Sequence, residues 1–421
     1  MSFTWRTVVL VVAAAFSALI VPWQLAALAM LVILVAAAAD ALQVRTPPTI
    51  ERSAPQIMSR GVPSELTCHV QSGSLRMLVK QPVGDADLSV GEQVGVRGLE
   101  SVVLAKRRGE HLLPPLATIS TGPLGLGRWY HRVGEGHKVT VYPDLPAARR
   151  LALDVRLGRF RDDARRARGQ LGLGTDLESI RDYQPDDDIR QVNWKATARM
   201  GSPMSNTFRV EQDRQIMCLV DCGRLMAAPV TANDDVSTIT RLDVAVDVVA
   251  AVTAVAKEVG DQVGVLAFTD EIIRLVSPRR DSEDVVLEAI HDLEPVGVDA
   301  DYERAFQQVI GMKRSLVIVL TDLLDDTAGE PLVRSLPILS RKHSVIVASL
   351  TDPDIERLIS RPATSIAEAT QTAVAVDILE PRSLLVSRLT HRGIDVVEGD
   401  VHRLSTRTVA AYLRAKRRAR T

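Results

Sequence analysis

The sequence predicts a multidomain protein with an N-terminal transmembrane α-hairpin, a β-sandwich-like domain and a doubly wound α/β domain. An almost continuous apolar stretch runs from Thr7 to Ala39. Short β-like segments punctuated by glycine and proline follow as far as Leu145. After Arg214, wholly apolar segments alternate with helical ones, which is typical of a parallel sheet covered on both faces. A chain of 421 residues has room for these parts.

The changes in residue pattern along the chain set the expected domain boundaries. We expect the hairpin at 1–45, the β-rich domain at 46–147, a connector at 148–214 and the α/β domain at 215–421. As a single helix the apolar stretch would measure about 50 Å, which exceeds a hydrocarbon core of about 30 Å. A break at Pro22 therefore predicts two helices, Phe3–Val21 and Trp23–Leu42.

The positive charges at the hairpin predict its orientation. Arg6 and Arg45 lie at the same end of the hairpin, so the positive-inside rule places both ends, and the domains that follow, in the cytoplasm at the cell membrane. The alternative is a signal peptide cleaved at the small residues Leu25–Ala29. The apolar run continues well beyond that site, which favours the hairpin.

Composition and cysteine usage exclude several function classes. Lys and Arg number 51 against 52 Asp and Glu, so the charge balance gives no reason to expect a nucleic-acid partner. The cysteines Cys68, Cys218 and Cys222 form no CxxC pair, which argues against a disulfide framework. A zinc site at Cys218 and Cys222 would need distant histidines. Arg224 would favour a thiolate at Cys222, but no neighbouring base can be named.

Sequence motifs for common chemistry are missing. There is no GxxxxGK[ST], HExxH or GxSxG. The glycines of Thr121–His131 precede no clear helix, so we interpret this segment as a turn-rich loop and not as a phosphate cradle. Acidic residues do end the apolar strands, at the edge of a parallel sheet where ligands bind. These strand-end residues are Asp221, Thr269–Asp270, Asp322 and Asp352.

A charged stretch, "YQPDDDIRQVNWKATAR", lies between the β-rich and α/β segments, at Tyr183–Arg199. Cations close to its carboxylates keep those groups ionised, which is unsuitable for acid catalysis. Two interpretations remain: a polar clamp between the two domains, or a surface recognised by a partner with an aromatic anchor. The residues concerned are Arg181, Tyr183, Asp187, Asp188, Arg190, Trp194, Lys195 and Arg199.

This stretch is similar to the signature of the bacterial domain-of-unknown-function 58 family. That signature contains Arg-x-Tyr, Pro-Gly-Asp, Arg, Trp-Lys and Ala-Arg in this order, and here Asp186 replaces the glycine. The strand that ends at Asp221 and the segment "VLTD" that ends at Asp322 resemble a von Willebrand factor A-type domain. The resemblance implies a membrane-anchored protein associated with a MoxR-type AAA+ ATPase.

The von Willebrand resemblance also implies a Mg²⁺ site formed by Asp-x-Ser-x-Ser, a threonine and a second aspartate. Here Gly223 and Leu225 replace both serines, and the carboxylates Asp221 and Asp322 remain. We therefore expect either no cofactor or weak Mg²⁺ binding at a degenerate site. In the alternative, the two aspartates cap helix N-termini and pair with Arg224.

The last segment of the chain is strongly basic. These cations could contact anionic lipid, or they could favour the C-terminus of a helix and otherwise stay solvated. They are Arg403, Arg407, Arg414, Lys416, Arg417, Arg418 and Arg420.

Taken together, the sequence predicts a cytoplasm-facing, membrane-anchored scaffold or adaptor that acts by protein–protein recognition and is not an enzyme. The alternative is an envelope-associated hydrolase or transferase with its site at the strand ends, at Asp221, Cys222 and Asp322. An intact nucleophile–base pair at these strand ends would favour the enzyme, and the sequence offers none.

Overall fold

The computed structural model describes residues 1–158, 176–184, 192–209, 214–231, 238–323, 326–351, 353–363 and 365–418. It divides the chain into two compact units, Met1–Tyr142 and Pro143–Thr421. Each unit has its own sheets and its own apolar core.

The first unit begins with two helices and continues with short strands. Five strands form the sheet β1-β11-β10-β5-β7, four form β2-β4-β8-β6 and three form β3-β12-β9. The buried side chains of these strands form one apolar core. The elements are α1 (Trp5–Ser17), α2 (Trp23–Gln43), β1 (Ser2–Phe3), β2 (Thr49–Ser53), β3 (Ile57–Ser59), β4 (Ser64–Ser72), β5 (Arg76–Lys80), β6 (Leu88–Val90), β7 (Val94–Val96), β8 (Gly98–Ala105), β9 (Gly109–Leu113), β10 (Leu116–Thr121), β11 (Gly127–Val133) and β12 (His137–Tyr142).

Helix α2 is long and apolar enough to cross a membrane, whereas α1 is shorter. The predicted first helix, Phe3–Val21, was too long at both ends. Ser2 and Phe3 pair with β11 as an edge strand, and Thr4 is extended, so the helix cannot begin before Trp5. At the other end the helix stops at Ser17, before the turn that leads to Pro22.

The base of the two helices is fixed to the sheet by a buried carboxylate. Oδ1 of Asp40 accepts a hydrogen bond from the backbone N–H of Leu124 at 2.8 Å. Its Oδ2 accepts from the N–H groups of Leu126 and Gly127 at 2.8 and 2.9 Å. A Cβ at Gly127 would stand 2.4 Å from the carbonyl oxygen of Ala37, so only glycine lets α2 approach β11 this closely. The turn-rich segment predicted here does connect two strands, and its N–H groups bind this internal anion.

The second unit is an α/β structure. Its central sheet has the order β19-β18-β15-β20-β21-β22, in which β19 is antiparallel to its neighbour and the others are parallel. The predicted α/β region is confirmed. The elements are α3 (Leu145–Arg156), β13 (Asp176–Asp182), α4 (Trp194–Met200), β14 (Met204–Arg209), β15 (Gln215–Asp221), β16 (Pro229–Thr231), β17 (Thr238–Thr240), α5 (Arg241–Val259), β18 (Gln262–Phe268), β19 (Ile272–Arg279), α6 (Glu283–Ile290), α7 (Tyr302–Ile310), β20 (Leu316–Leu320), α8 (Asp326–Ser340), β21 (Ser344–Leu350), α9 (Pro353–Ser360), α10 (Ile366–His391), β22 (Asp395–Gly399) and α11 (Leu404–Arg418).

Helices cover both faces of this sheet. The apolar side chains of α7, α8 and α10 pack in one core with β15, β18, β20 and β21. Helix α5 contacts the sheet, and it also contacts α3 and α11. The order of the strands along the chain reverses between β15 and β20, and in such sheets the crevice beyond that reversal is the usual ligand site. Asp221 and Asp322 follow these two strands.

The basic C-terminal helix is partly buried. Nζ of Lys416 lies 2.7 Å from both carboxylate oxygens of Asp261, and the Tyr412 hydroxyl donates to the same carboxylate. Burial and the charge of Asp261 raise the pKa of Tyr412 well above its ordinary value. Lys416 lies in the last turn of α11, as one sequence interpretation expects, but it is buried and therefore not available to lipid. It holds α11 against the start of β18.

We expect Asp40→Asn to lower the melting temperature of the full chain in detergent. The amide keeps one acceptor oxygen and places an amino group against the N–H groups of the turn. A lost hydrogen bond to a charged group costs about 1.5–3 kcal/mol. Asp154→Asn, on the exposed side of α3, is the control and should leave melting unchanged. Equal melting temperatures of both variants would show that the hydrogen bonds to Asp40 contribute nothing to stability.

Candidate functional site

Asp221 occupies the reversal point of the sheet at the end of β15. Its side chain is buried, and its Oδ1 accepts from the Gly223 N–H at 2.7 Å. Its Oδ2 accepts from the Tyr302 hydroxyl at 2.8 Å and from Thr321 Oγ1 at 2.7 Å. The two hydroxyls also lie 2.8 Å apart. Asp221 is thus held by three donors, which come from the loop after β15, from α7 and from the residue that follows β20.

Burial changes the acid–base properties of this group. It raises the pKa of Asp221, and the hydrogen bonds from Thr321, Gly223 and Tyr302 oppose that rise. The pKa of Tyr302 is raised well above its ordinary value by burial and by the neighbouring carboxylate. The proton of the Tyr302 hydroxyl is therefore retained, and this hydroxyl acts as a hydrogen-bond donor.

Asp322, directly after Thr321, is neutralised by an arginine. Nη1 of Arg241 lies 2.6 Å from its Oδ1, and both side chains are almost fully buried. Burial raises the pKa of Asp322, and the guanidinium of Arg241 opposes this rise. Arg241 is the first residue of α5, where a capping box between Thr240 and Asp243 fixes the start of the helix. The ion pair therefore depends on where α5 begins.

The ion pair is not saturated by hydrogen bonds. Nε of Arg241 and Oδ2 of Asp322 have no hydrogen-bond partner among the described residues. A cavity of roughly the size of one water molecule lies beside them, lined in part by Met226, Leu320 and Leu404. Arg241 and Asp322 also line this cavity, which at this size has no room for a substrate.

Arg224 does not contribute to this site, which corrects one sequence interpretation. Its Nε pairs with Asp299, and both side chains are more than half exposed. Asp301 accepts from the N–H of Arg304 and caps α7. The two strand-end aspartates are instead paired as described above, by Tyr302 and Thr321 for one and by Arg241 for the other.

The residues at this edge do not fit a magnesium ion. Mg²⁺ requires near-octahedral oxygen ligation, whereas Asp221 already accepts three hydrogen bonds and Asp322 already binds a guanidinium. A Cβ at Gly223 would stand 3.0 Å from the Val298 carbonyl oxygen, so a serine would be crowded there. Within the described ranges, no group of three His, Cys, Asp or Glu side chains forms a metal site.

The cysteines of this region are buried. Sγ of Cys222 lies 3.7 Å from the Val220 carbonyl oxygen, inside the protein. Burial raises the pKa of the Cys218 thiol to about 12. Neither environment favours a thiolate nucleophile. Asp352, another predicted strand-end acid, lies outside the described residues.

The signature stretch is positioned by β13, α4 and β14. Its central part, which includes Asp187, Asp188 and Arg190, lies outside the described residues. Asn193 caps α4 by accepting from the N–H of Ala196 at 2.9 Å. Immediately after this cap, the side chain of Trp194 is 72% exposed, and it is not buried against the described residues of its own unit.

The other described residues of the signature also face solvent. Arg181, Lys195 and Arg199 are exposed, and Tyr183 is half-buried. Arg181 donates from Nη1 to the carbonyl oxygen of Asp182 at 3.1 Å. Met200, which ends α4, is 68% exposed. The described part of the signature is therefore a surface of apolar and cationic side chains.

Comparison with known proteins places most of the second unit in a family. Residues 179–384 match the model described as "Protein of unknown function DUF58". This segment of the chain is similar to the DUF58 family. The signature stretch and the strand-end aspartates both lie within the matched residues. The family resemblance predicted from the signature is thus confirmed.

Uncharacterised relatives of this chain occur in mycobacteria. Proteins of Mycobacterium tuberculosis and Mycobacterium bovis are 25% identical to it over 194 residues, which is 44% of this chain. The chain spans 58% of the length of these relatives. An uncharacterised membrane-spanning protein from Vibrio fischeri matches 49% of this chain and 98% of its own, at 18% identity and a TM-score of 0.21. A superoxide reductase from Ignicoccus hospitalis matches 25% of this chain and 89% of its own, at 15% identity and a TM-score of 0.16.

The sequence did not identify Arg241, Tyr302 or Thr321 as partners of the strand-end acids. One signal was available: Arg241 directly follows Thr240 in "TRLD", a helix start with an acid at the third helical position. A cation at the first position of a helix is unfavourable unless a carboxylate faces it. That local conflict points to a buried acid near the start of α5.

We expect acidification to stabilise the wild type relative to Asp221→Asn. An aspartate with a raised folded pKa binds its proton more tightly in the folded state. Its stabilising contribution is present below the unfolded pKa of about 3.9 and is lost as the pH rises through the folded pKa. The difference in melting temperature should therefore grow in favour of the wild type as the pH falls from neutral towards about 4. A flat difference would contradict this, and Asp154→Asn serves as the exposed control.

We expect Arg241→Ala to destabilise the chain strongly and Arg224→Ala to have little effect. Removing one partner of a buried ion pair costs about 3–5 kcal/mol, whereas an exposed pair contributes about 0–1 kcal/mol. Thermal melting of both variants measures the contrast. Similar melting temperatures would show that the pair of Arg241 and Asp322 is not the stabilising contact of this edge.

Proposed function

We propose that this chain is a membrane-anchored adaptor that acts by binding another protein, with both units in the cytoplasm. Helix α2, which is long and apolar enough to cross a membrane, supports the anchoring. The cytoplasmic placement follows from Arg6 and Arg45 at the same end of the hairpin. The function resides, in this proposal, in the surface of the second unit and not in a chemical step.

We also propose that the second unit is a von Willebrand A-like domain in which an arginine replaces the metal. Numbered along the chain, its six strands lie in the order 3-2-1-4-5-6, with the antiparallel strand at one edge. Asp221, Thr321 and Asp322 gather at the reversal point, where that domain type binds its ion. Arg241 supplies the positive charge there.

The observation that carries the adaptor proposal is the exposure of the signature. Trp194 and Met200 are both about two-thirds exposed or more and lie on the same short helix as the exposed Lys195 and Arg199. Folding alone gives no reason to leave a tryptophan in water. Tryptophan, methionine and arginine are enriched at protein interfaces, and tryptophan and arginine are enriched at their energetic hot spots.

The proposed partner is a MoxR-type AAA+ ATPase, on the strength of the family resemblance. An enzyme is the weaker alternative. The raised pKa values of Asp221 and Asp322 favour it, since perturbed carboxylates are common in active sites. Against it, both carboxylates are occupied by internal partners, Cys222 is buried and the adjoining cavity is too small for a substrate.

We expect Trp194→Ala to leave the melting temperature nearly unchanged and to weaken capture of the purified ATPase at least tenfold. The side chain is exposed, and exposed substitutions change stability by about 0.5 kcal/mol or less. Loss of a hot-spot residue costs about 2 kcal/mol or more of binding free energy. The measurement is a pull-down with the full chain in detergent.

The matched control is Leu153→Ala, another exposed apolar residue, on α3. It should retain wild-type capture. A clear fall in melting temperature for Trp194→Ala would restore the structural clamp. Unchanged capture with unchanged melting would remove the signature from the partner surface.

A further inference from the structure

Two arginines converge on the turn between β10 and β11, next to the start of α1. A methyl group at Gly125 would stand 2.8 Å from Nη1 of Arg76 and 3.3 Å from Nη1 of Arg6. Arg6 belongs to the first turn of α1, and Arg76 begins β5 opposite Thr121. Two guanidinium groups from distant parts of the first unit therefore meet at one side of this turn.

These charges have no acidic counterpart within the part of the chain that the structure describes. Both side chains are exposed, and neither forms an ion pair there. Asp40, which does contact the turn, is buried and accepts from backbone N–H groups on it. The strand register adds Arg128, which lies opposite Thr121 on the same face as Arg76. The charges of Arg6 and Arg76 repel each other, and an anion bound between them would relieve this repulsion.

The surroundings of the arginines are apolar and exposed. Leu75, in the turn before β5, is 78% exposed, and Leu124, in the turn before β11, is 59% exposed. The two turns are neighbours, because Oγ of Ser74 donates to the Thr121 carbonyl oxygen at 2.6 Å. Trp5, one residue before Arg6, is 67% exposed. Exposed leucine and tryptophan beside cations are typical of segments that lie at a membrane interface.

The same turn touches both helices of the N-terminal pair. The N–H of Thr4 donates to the Leu126 carbonyl oxygen at 2.8 Å, and Asp40 near the end of α2 holds the other side. The arginines thus lie at the foot of the candidate membrane span, which is the depth of lipid headgroups. A phosphate there accepts hydrogen bonds from two guanidinium groups, the geometry that arginine favours for phosphate.

We propose that Arg6 and Arg76, with Arg128 beside them, bind the phosphate of an anionic phospholipid at the foot of α2. Leu75 and Leu124 enter the boundary between headgroups and acyl chains. The site binds a lipid from the cytoplasmic leaflet and orients the first unit on the membrane. It rests on the proposed membrane anchoring but not on a protein partner, so its test can fail while the capture of a partner succeeds.

The test measures which lipids the full chain retains. The protein is reconstituted in nanodiscs of phosphatidylcholine with a minor fraction of phosphatidylglycerol, released into mild detergent and examined by native mass spectrometry. We expect phosphatidylglycerol to be enriched several-fold over the bulk composition. In Arg6→Gln/Arg76→Gln the enrichment should vanish, and in Arg6→Lys/Arg76→Lys part of it should remain.

The matched control removes two exposed cations elsewhere, Arg149 and Arg150 on α3, by the double change to glutamine. It should keep the enrichment. Melting temperatures of all variants confirm that each is folded. Equal enrichment in the wild type and in Arg6→Gln/Arg76→Gln would overturn the proposal, as would an equal loss in the control.

A second arm separates a lipid phosphate from a soluble one. Inorganic phosphate is added to the protein in nanodiscs of phosphatidylcholine alone, and melting is followed. If phosphate stabilises the wild type but not the glutamine variant, and phosphatidylglycerol is not enriched, the site takes a soluble anion and the lipid proposal is wrong. Loss of enrichment in a folded Leu75→Ser/Leu124→Ser variant would further support a site at the bilayer boundary.

Discussion

The buried ion pair between Arg241 and Asp322 is the contact on which the second unit depends. A carboxylate at the end of a central strand is removed from water and must be compensated, or it would destabilise the sheet beneath it. Arg241 provides the compensation because the capping box of Thr240 and Asp243 begins α5 at that residue. From there α5 runs buried between the sheet, α3 and α11 until Gly260 ends it in a left-handed conformation. One electrostatic requirement thus fixes where the central helix of this face begins.

The first unit also contains a buried carboxylate, but backbone N–H groups compensate it and not a charged side chain. Asp40 is fully buried near the end of an apolar helix, and its compensation comes from three backbone N–H groups of one turn. Such a carboxylate is stable only when the turn is in place, so helix and sheet form together. In both units, a charge that would be costly alone joins two elements that are distant in sequence.

Composition and periodicity predicted the coarse architecture well. The strands β15, β20 and β21 are apolar on both faces because helices cover both sides of the sheet, and this pattern is legible in sequence. The length of α1 could not be predicted from the sequence, because hydropathy does not reveal that Ser2 and Phe3 pair with β11. Short edge pairings of this kind depend on distant partners, which no local window contains.

The sequence predicted where the strand-end aspartates lie, but it did not predict which residues pair with them. Strand ends fix the placement of Asp221 and Asp322, since parallel strands finish at one edge. Their partners come from the starts of α5 and α7, and the nearest cation in sequence, Arg224, proved to pair with Asp299 at the surface. Sequence proximity was a poor guide because the loop after β15 carries Arg224 outwards. The burial of Lys416 against Asp261 escaped prediction because these two residues are 155 positions apart in the sequence.

The edge of the sheet at Asp221 and Asp322 is filled by the protein's own groups, which limits where the second unit can bind a ligand. In a doubly wound sheet the reversal point is the natural crevice, yet here hydroxyls, a guanidinium and a glycine loop fill it. A site whose charges are already balanced internally offers a ligand little gain in free energy, because binding would first have to break those contacts. Large apolar side chains are instead exposed on the described surface of the second unit, such as Trp194 and Met200. This contrast is the reason why we propose recognition at the surface of the second unit and not chemistry at the edge of its sheet.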